Sequence, residues 1–465
     1  TTRCAAMEMA CNPELQKRFT VVPADVTGNP ALNAHCLATL WPVAPSGKPQ
    51  PMTTSSISCG SIPERLRACF TTCPPNTAPW VLLKAPRNAF PIGVLAVDTI
   101  TASSIFNPIQ KNCSNFCFVM NKPYFENGSI KNISEVLKEQ GIKNPLICTD
   151  PGLASMGMSD KIRNLLSNEL SPSFYEETPA NPTEQAVNDA LKVYRENNCD
   201  GVIGFGGGSS MDLAKAVALM ANHEGNVVDY SVNEGGVGKI NKTMPMVAIP
   251  TTSGTGSEVS LGAVIIMNDG RKLILASDHL RPDAAICDPE LTLGLPPVLT
   301  AGAGMDALTH CIEAILSPVI DPPAEAVGLD GVEKVIGEES LIRAVKNGQD
   351  KEARWNMMMA STEGAMAFSK GLGAVHSMSH ALGADQELRL HHGTLNGVIL
   401  PTILRFNKDR VGNKYSKILR AMGKASSVDL ADEIEVLNQE IGLPNGLAEM
   451  GVTEDMIPGL VAHSM

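Results

Sequence analysis

Gly201-Val-Ile-Gly-Phe-Gly-Gly-Gly-Ser-Ser-Met211 is the stretch that decides the fold. Its first five residues are a continuous apolar run, the pattern of a strand covered on both faces rather than one. Three glycines follow, letting backbone N–H groups come close to an anion, and the helix predicted over 211–222 adds the partial positive charge of its N-terminus. Strand, glycine turn and helix in that order predict a phosphate or pyrophosphate site. Glycine runs also make plain tight turns, and this one is not G-x-G-x-x-G, so the inference needs support elsewhere in the chain.

Further runs of the same kind lie on either side, at 144–149, 245–249 and 263–267, with helical spacing over 159–170 and 183–196 between them. Together they predict an α/β domain over 113–297 built on a largely parallel sheet. Strand signals stop at Pro296 and Pro297. Helical spacing then recurs at 304–316, 341–345, 353–368, 373–384, 396–406 and 415–422, predicting a helical domain over 298–465. A cleft between two such domains is a favoured place for a ligand. Residues 1–112 differ in kind: they hold 14 of the 32 prolines and nine Lys/Arg against five Asp/Glu, with no sustained periodicity. They predict an irregular, Pro-rich extension without a recognised counterpart.

The 465 residues are 43 % apolar and 18 % charged, enough for two or three packed domains. A net charge of −12 argues against nucleic acid or an anionic membrane surface as partner and leaves a small molecule as the expectation. The best apolar run, 90–106, is broken by Asp98, so no membrane span is expected. Six of the 12 cysteines precede position 74. Later ones such as Cys148 and Cys287 stand singly in apolar runs, as buried thiols do in a reducing compartment. The cytoplasm is expected, with the mitochondrial matrix as the alternative. Sequons at Asn127, Asn132 and Asn241 require a secretory signal, which is not visible.

Asp150 closes the run 146–149. A carboxylate at a strand's carboxyl end can accept from a ribose 2′-OH and repels a 2′-phosphate, which favours NAD over NADP. An Asp before Pro151-Gly152 is equally well a turn former. Thr251-Thr-Ser-Gly-Thr-Gly-Ser-Glu258 supplies hydroxyls and glycines after the next run, a composition that ordinary loops share. In Met305-Asp-Ala-Leu-Thr-His-Cys311 the i, i+4 spacing puts Asp306 and His310 on one helical face. His376 and His380 repeat that spacing, and His391-His392-Gly393 follow. Each histidine alone fits a capping or core role, but five of the nine fall in this cluster, which points to a metal site for Fe²⁺ or Zn²⁺. A cation that polarises an alcohol oxygen beside a nicotinamide makes a dehydrogenase.

Gly206-Gly-Gly-Ser209 with Asp212 and Lys215, the Thr251–Glu258 stretch, Asp288-Pro-Glu-Leu291, Gly304-Met-Asp-Ala-Leu-Thr-His310 and Gly373-Ala-Val-His-Ser-Met-Ser-His-Ala-Leu-Gly383 resemble the signature segments of the iron-containing alcohol dehydrogenase family. The resemblance runs from about Phe116 to the C-terminus. It implies a dehydroquinate-synthase-like architecture, with Asp306, His310, His376 and His392 as metal ligands. It puts His380 near nicotinamide and substrate as a catalytic proton-relay or positioning group. It sets Asp150, Asn181, Gly207, Gly208, Ser209, Thr251, Thr252 and Thr255 at NAD. The segment 383–392 is about two residues longer than the common pattern, which leaves His391 open as the fourth ligand. The chain stops where family members usually continue, so a shortened helical domain is expected. The implied reaction is NAD- and Fe²⁺-dependent (or Zn²⁺-dependent) interconversion of a small primary alcohol and its aldehyde, in a homodimer. The alternatives are polyol oxidation, a dehydroquinate-synthase-like lyase, or a non-catalytic nucleotide-binding remnant. Against the lyase count the one-Asp, three-His set and the lack of a Lys/Arg-rich substrate loop.

Overall fold

The computed structural model describes residues 122–456 apart from 385–387 and 389, all within the unit Leu95–Met465. The extension expected over 1–112 lies outside the described residues. The first part runs β1 (Lys122–Phe125), α1 (Ile133–Glu139), β2 (Pro145–Cys148), α2 (Pro151–Ser155), α3 (Met158–Leu165), β3 (Ser173–Tyr175), α4 (Glu184–Glu196), β4 (Gly201–Gly206), α5 (Gly208–Met220), β5 (Met246–Pro250), β6 (Gly262–Ile266), β7 (Lys272–Ala276) and β8 (Ala284–Cys287).

Six of these strands form one parallel sheet in the order β1-β8-β5-β4-β2-β3. Successive side chains enter opposite cores: Leu146, Cys148, Val202 and Met246 join one, with α4 and α5, while Ile147, Ile203, Phe205 and Val247 join the other, with α1 and α3. Burial on both faces is why these strands read as unbroken apolar runs. The chain leaves β2 outward to β3, then crosses back and builds β4, β5 and β8 on the other side. The order in which strands are added therefore reverses between β2 and β4, and in open α/β sheets ligands bind beyond the carboxyl ends at such a point. Among the described residues β1, the first strand, pairs only with β8, the last. There Asp288 accepts from the backbone N–H groups of Gly128 (2.9 Å) and Ile130 (3.1 Å).

One expectation is corrected. The run 263–267 is not a strand of the parallel sheet: it forms β6, half of an antiparallel hairpin with β7, paired from Gly262↔Ala276 to Ile266↔Lys272. Its apolarity comes from packing Ala263, Ile265, Leu273 and Leu275 into the core shared with α5.

Helices follow: α6 (Pro297–Leu316), α7 (Pro322–Val332), α8 (Ser340–Lys346), α9 (Lys351–Ala367), α10 (Ala374–Leu382), α11 (His392–Asn407), α12 (Lys414–Ala421) and α13 (Leu430–Glu440). α6 starts at Pro297, where a proline costs no helical hydrogen bond, and runs through the middle of the bundle against α7, α9 and α11. Apolar residues all round it are buried. α7 and α13 were not anticipated. α11 crosses α6 at backbone contact, since a Cβ on Gly393 would run into the Gly302 carbonyl. No described helix is long and apolar enough to cross a membrane.

Candidate active site

Three sequence-predicted groups meet where the strand order reverses. β4 ends in Gly206, whose φ of 148° suits only glycine, and α5 begins two residues later with Gly207 as its N-cap. The helix thus starts earlier than its periodicity indicated and takes Gly208 and Ser209 into its first turn. The Thr251 N–H donates to the Gly206 carbonyl at 2.9 Å, so the two loops run together. A Cβ on Gly207 would sit 3.5 Å from Thr252, and one on Gly208 2.7 Å from Thr255. Asp150 takes its turn-forming role with one of its two oxygens. One carboxylate oxygen caps α2 by accepting from Leu153 N–H at 3.0 Å, while the other turns toward Gly206. Ser209 donates to the Ala180 carbonyl, and Asn181 accepts from Lys272 Nζ at 3.0 Å. Lys272 was not foreseen. The β6–β7 hairpin carries it into this edge, where burial pulls its ammonium down to about 8 against the opposing charge of Asp212.

The second cluster is built on α6, α10 and α11. Asp306 Oδ1 lies 3.7 Å from His310 Nε2, 3.5 Å from His376 Nε2 and 3.6 Å from His392 Nε2. The donor atoms of Asp306, His310 and His376 all fall within 4.8 Å of one another, and these three residues are buried. Separations of 3.5 to 3.7 Å are those of donor atoms that share one divalent transition-metal ion, and the residues present fit such a cation, with Asp306, His310 and His376 set closest and His392 reaching the group through Asp306 Oδ1. His391 does not join them: its ring accepts from Thr394 N–H at 3.3 Å and caps α11.

Two contributors were missed. Glu313 accepts a hydrogen bond from His376 Nδ1–H at 2.7 Å and also accepts from the backbone N–H of Val375 (2.8 Å) and His376 (3.3 Å). A partner on Nδ1 turns the other ring nitrogen toward Asp306, the arrangement that orients histidine ligands. Glu313 stands seven residues after Asp306, on the same helical face, a spacing that was available in the sequence. Asn396, four residues after His392, donates from Nδ2 to Asp306 Oδ1 at 2.8 Å and lies 3.1 and 3.2 Å from the Nε2 atoms of His376 and His392.

Burial raises the cost of an ionised Asp306, yet His310 and His392 outweigh it and hold the carboxyl far below its usual range. Burial lowers His310 to about 4 against the pull of Asp306, and takes His392 well below the ordinary imidazole value. At His376 burial is overcome by hydrogen bonds to Asp306 and Glu313, which lift the ring to about 9. His380 is lowered to about 3 by burial and then by the Lys272 ammonium, so it is neutral at physiological pH. Its ring centroid is 4.9 Å from that of His392. His380 is thus the group shared by the four-residue cluster and the Lys272 edge.

Residues 121–289 match the family model for iron-containing alcohol dehydrogenase, and residues 300–465 match that for the C-terminal part of the Fe-containing alcohol dehydrogenase family. The chain belongs to the iron-containing alcohol dehydrogenase family. Membership makes it an oxidoreductase of alcohols. Among relatives, 4-hydroxybutyrate dehydrogenase of Cupriavidus necator is 46 % identical over 358 residues, 75 % of this chain and 93 % of that protein. Of solved family structures, a 1,3-propanediol oxidoreductase superposes with a TM-score of 0.70 at 32 % identity, covering 74 % of this chain and 91 % of the other. Sulfoacetaldehyde reductase from Bifidobacterium kashiwanohense, in complex with NAD+, superposes with a TM-score of 0.69 at 29 % identity, covering 75 % and 92 %.

Proposed function

We propose that the chain interconverts a small primary alcohol and its aldehyde with NAD(H) as hydride carrier, using a divalent iron held by Asp306, His310, His376 and His392. The observation that carries this reading is the meeting of three imidazoles on one carboxylate oxygen at 3.5 to 3.7 Å, beside a neutral His380. A bound divalent ion supplies Lewis-acid polarisation of the substrate oxygen, and zinc suits the same donors. The protein's own groups do the rest. Backbone N–H groups at Gly207, Gly208 and Ser209, with the start of α5, receive the pyrophosphate, and the hydroxyls of Thr251, Thr252 and Thr255 add donors across the loop. The Asp150 oxygen that does not cap α2 accepts from a ribose hydroxyl and disfavours a 2′-phosphate. Lys272 holds Asn181 at the sheet edge. His380, uncharged, accepts a hydrogen bond from the alcohol O–H and positions it beside the cluster. Glu313 keeps the His376 ring from turning.

The reading extends to a sheet-bearing domain over 113–297, a helical domain over 298–465 and a homodimer. Light scattering behind size exclusion tests the last. A cytoplasmic setting is supported by buried free thiols at Cys148, Cys199, Cys287 and Cys311. The functional test is NADH production from a panel of short alcohols and 4-hydroxybutyrate, with protein stripped of metal and reconstituted anaerobically with Fe²⁺ or Zn²⁺. We expect metal-dependent turnover that His310→Ala abolishes. Equal turnover by stripped and reconstituted protein would overturn the reading.

A further inference from the structure

The loop Thr251–Glu258 is held from two sides. On the sheet side, Ser257 Oγ donates to Asp212 Oδ1 at 2.7 Å and accepts from Lys215 Nζ at 2.9 Å. The same ammonium donates to Ser260 Oγ at 2.9 Å and to the Gly262 carbonyl at 2.7 Å. On the helical side, Gly254 packs on the backbone of Ala303, one turn before Asp306 in α6, and Gly256 packs on Ser361 and Ala365 of α9. The Glu258 side chain completes this contact, with Oε1 2.9 Å from Thr362 Oγ1 in α9.

Thr362 Oγ1 also lies 3.2 Å from the Met358 carbonyl, one turn back along α9. A hydroxyl has one proton to donate, and a carbonyl and an ionised carboxylate both only accept. If Glu258 is protonated, both contacts are satisfied: its O–H donates to Thr362 Oγ1, and Thr362 donates to Met358. Other features agree. Glu258 is 3 % exposed, and the protons of Lys215, the ammonium in the same network, are spent on serines and Gly262. Burial pushes the Glu258 carboxyl up, over the opposing pull of its own backbone N–H, of Thr362 and of the Lys215 ammonium.

We propose that Glu258 is a positioning residue, a neutral carboxylic acid that ties the loop carrying Thr251, Thr252 and Thr255 to α9 and so sets the spacing between that loop and the Asp306 face of α6. This rests on the reading of that loop as the nucleotide's. Hydride transfer depends on the distance between donor and acceptor, so a slack tie costs rate while the cluster on α6, α10 and α11 stays whole.

The test uses the full-length, metal-loaded chain and the variants Glu258→Ala, Glu258→Gln, Thr362→Val and Thr362→Ser, with the double variant Glu258→Ala/Thr362→Val. The measurements are kcat, KM for NAD, NADH binding by fluorescence, bound metal and Tm. Glu258→Ala and Thr362→Val are each expected to lower kcat about tenfold or more and to weaken NADH binding, since each strands a buried polar partner. Metal content should not change, and the double variant should be no worse than either single one. Glu258→Gln and Thr362→Ser should stay within about threefold of wild type, because an uncharged donor or a bare hydroxyl is enough. Wild-type kcat in Glu258→Ala, additive losses in the double variant, or a Glu258→Gln as damaged as Glu258→Ala would overturn the tie. If Glu258→Ala fails to fold, the Gln and Ser variants still decide. Absence of NADH binding by the wild-type chain would instead overturn the nucleotide reading, and this inference with it.

Discussion

His391 and His392 are adjacent in sequence, yet one ring caps α11 and the other faces Asp306. His391→Ala should therefore keep its bound metal and lose about 1 kcal/mol of stability, the usual worth of a helix cap, read by chemical denaturation. His392→Ala should lose metal in a chelator competition at little cost to the fold. The reverse pattern would make His391 the ligand. Glu313→Gln should weaken metal affinity by roughly 10- to 100-fold while all four donors remain, because it removes the charge that fixes the His376 ring. At this scale the sequence was legible wherever one helix supplied several groups. Asp306 and His310 stood out at i, i+4, and Glu313 at i+7 lay on the same face. Lys272 was not legible, because its place depends on where a hairpin docks, and spacing along the chain carries no such information.

Elements were legible in proportion to how local their causes are. β2, β4 and β5 read correctly because burial on both faces leaves a continuous apolar run. The same signal misassigned 263–267, since continuity reports burial and not the pairing partner. The better cue was Asp269-Gly270 between two apolar runs, a hairpin turn in which Gly270 has a φ of 85°. α11 carries a prediction of its own. Gly393→Ala pushes a methyl into the Gly302 carbonyl of α6, so we expect a loss of about 1 to 3 kcal/mol by denaturant titration, with weaker metal binding as His392 is displaced. An unchanged unfolding midpoint would mean that the two helices separate without cost.

For the molecule as a whole, the order of parts was plain from where strand signals stop at Pro296 and Pro297. The glycine turn and the histidine cluster fell in different parts, and the fold joins them through His380, Lys272 and the loop after β5. Stability against pH is another property of the whole. Glu363, buried between α9 and α7 beside Asp330 and Lys334, is raised from 4.5 to about 8 by burial and then by its hydrogen bond with Asp330. An acid raised in the folded state binds its proton more tightly there than when unfolded. Its stabilising contribution is complete below 4.5 and is lost as pH rises through about 8. Glu363→Gln should thus flatten the fall in stability across that window, as thermal unfolding at a series of pH values would show. A parallel slope in both proteins would exclude Glu363 as its source.

The pairing of β1 with β8 also bears on how the chain is made. Asp288 and the Gly128 it clasps are 160 residues apart, so at a synthesis rate of roughly 5–20 residues per second β1 leaves the ribosome about 10–30 s before β8. During that interval β1 lacks the strand it pairs with in the folded chain. Asp306, His310, His376 and His392 all lie downstream of β8, so the four proposed metal donors are complete only after every strand of the parallel sheet has been synthesised.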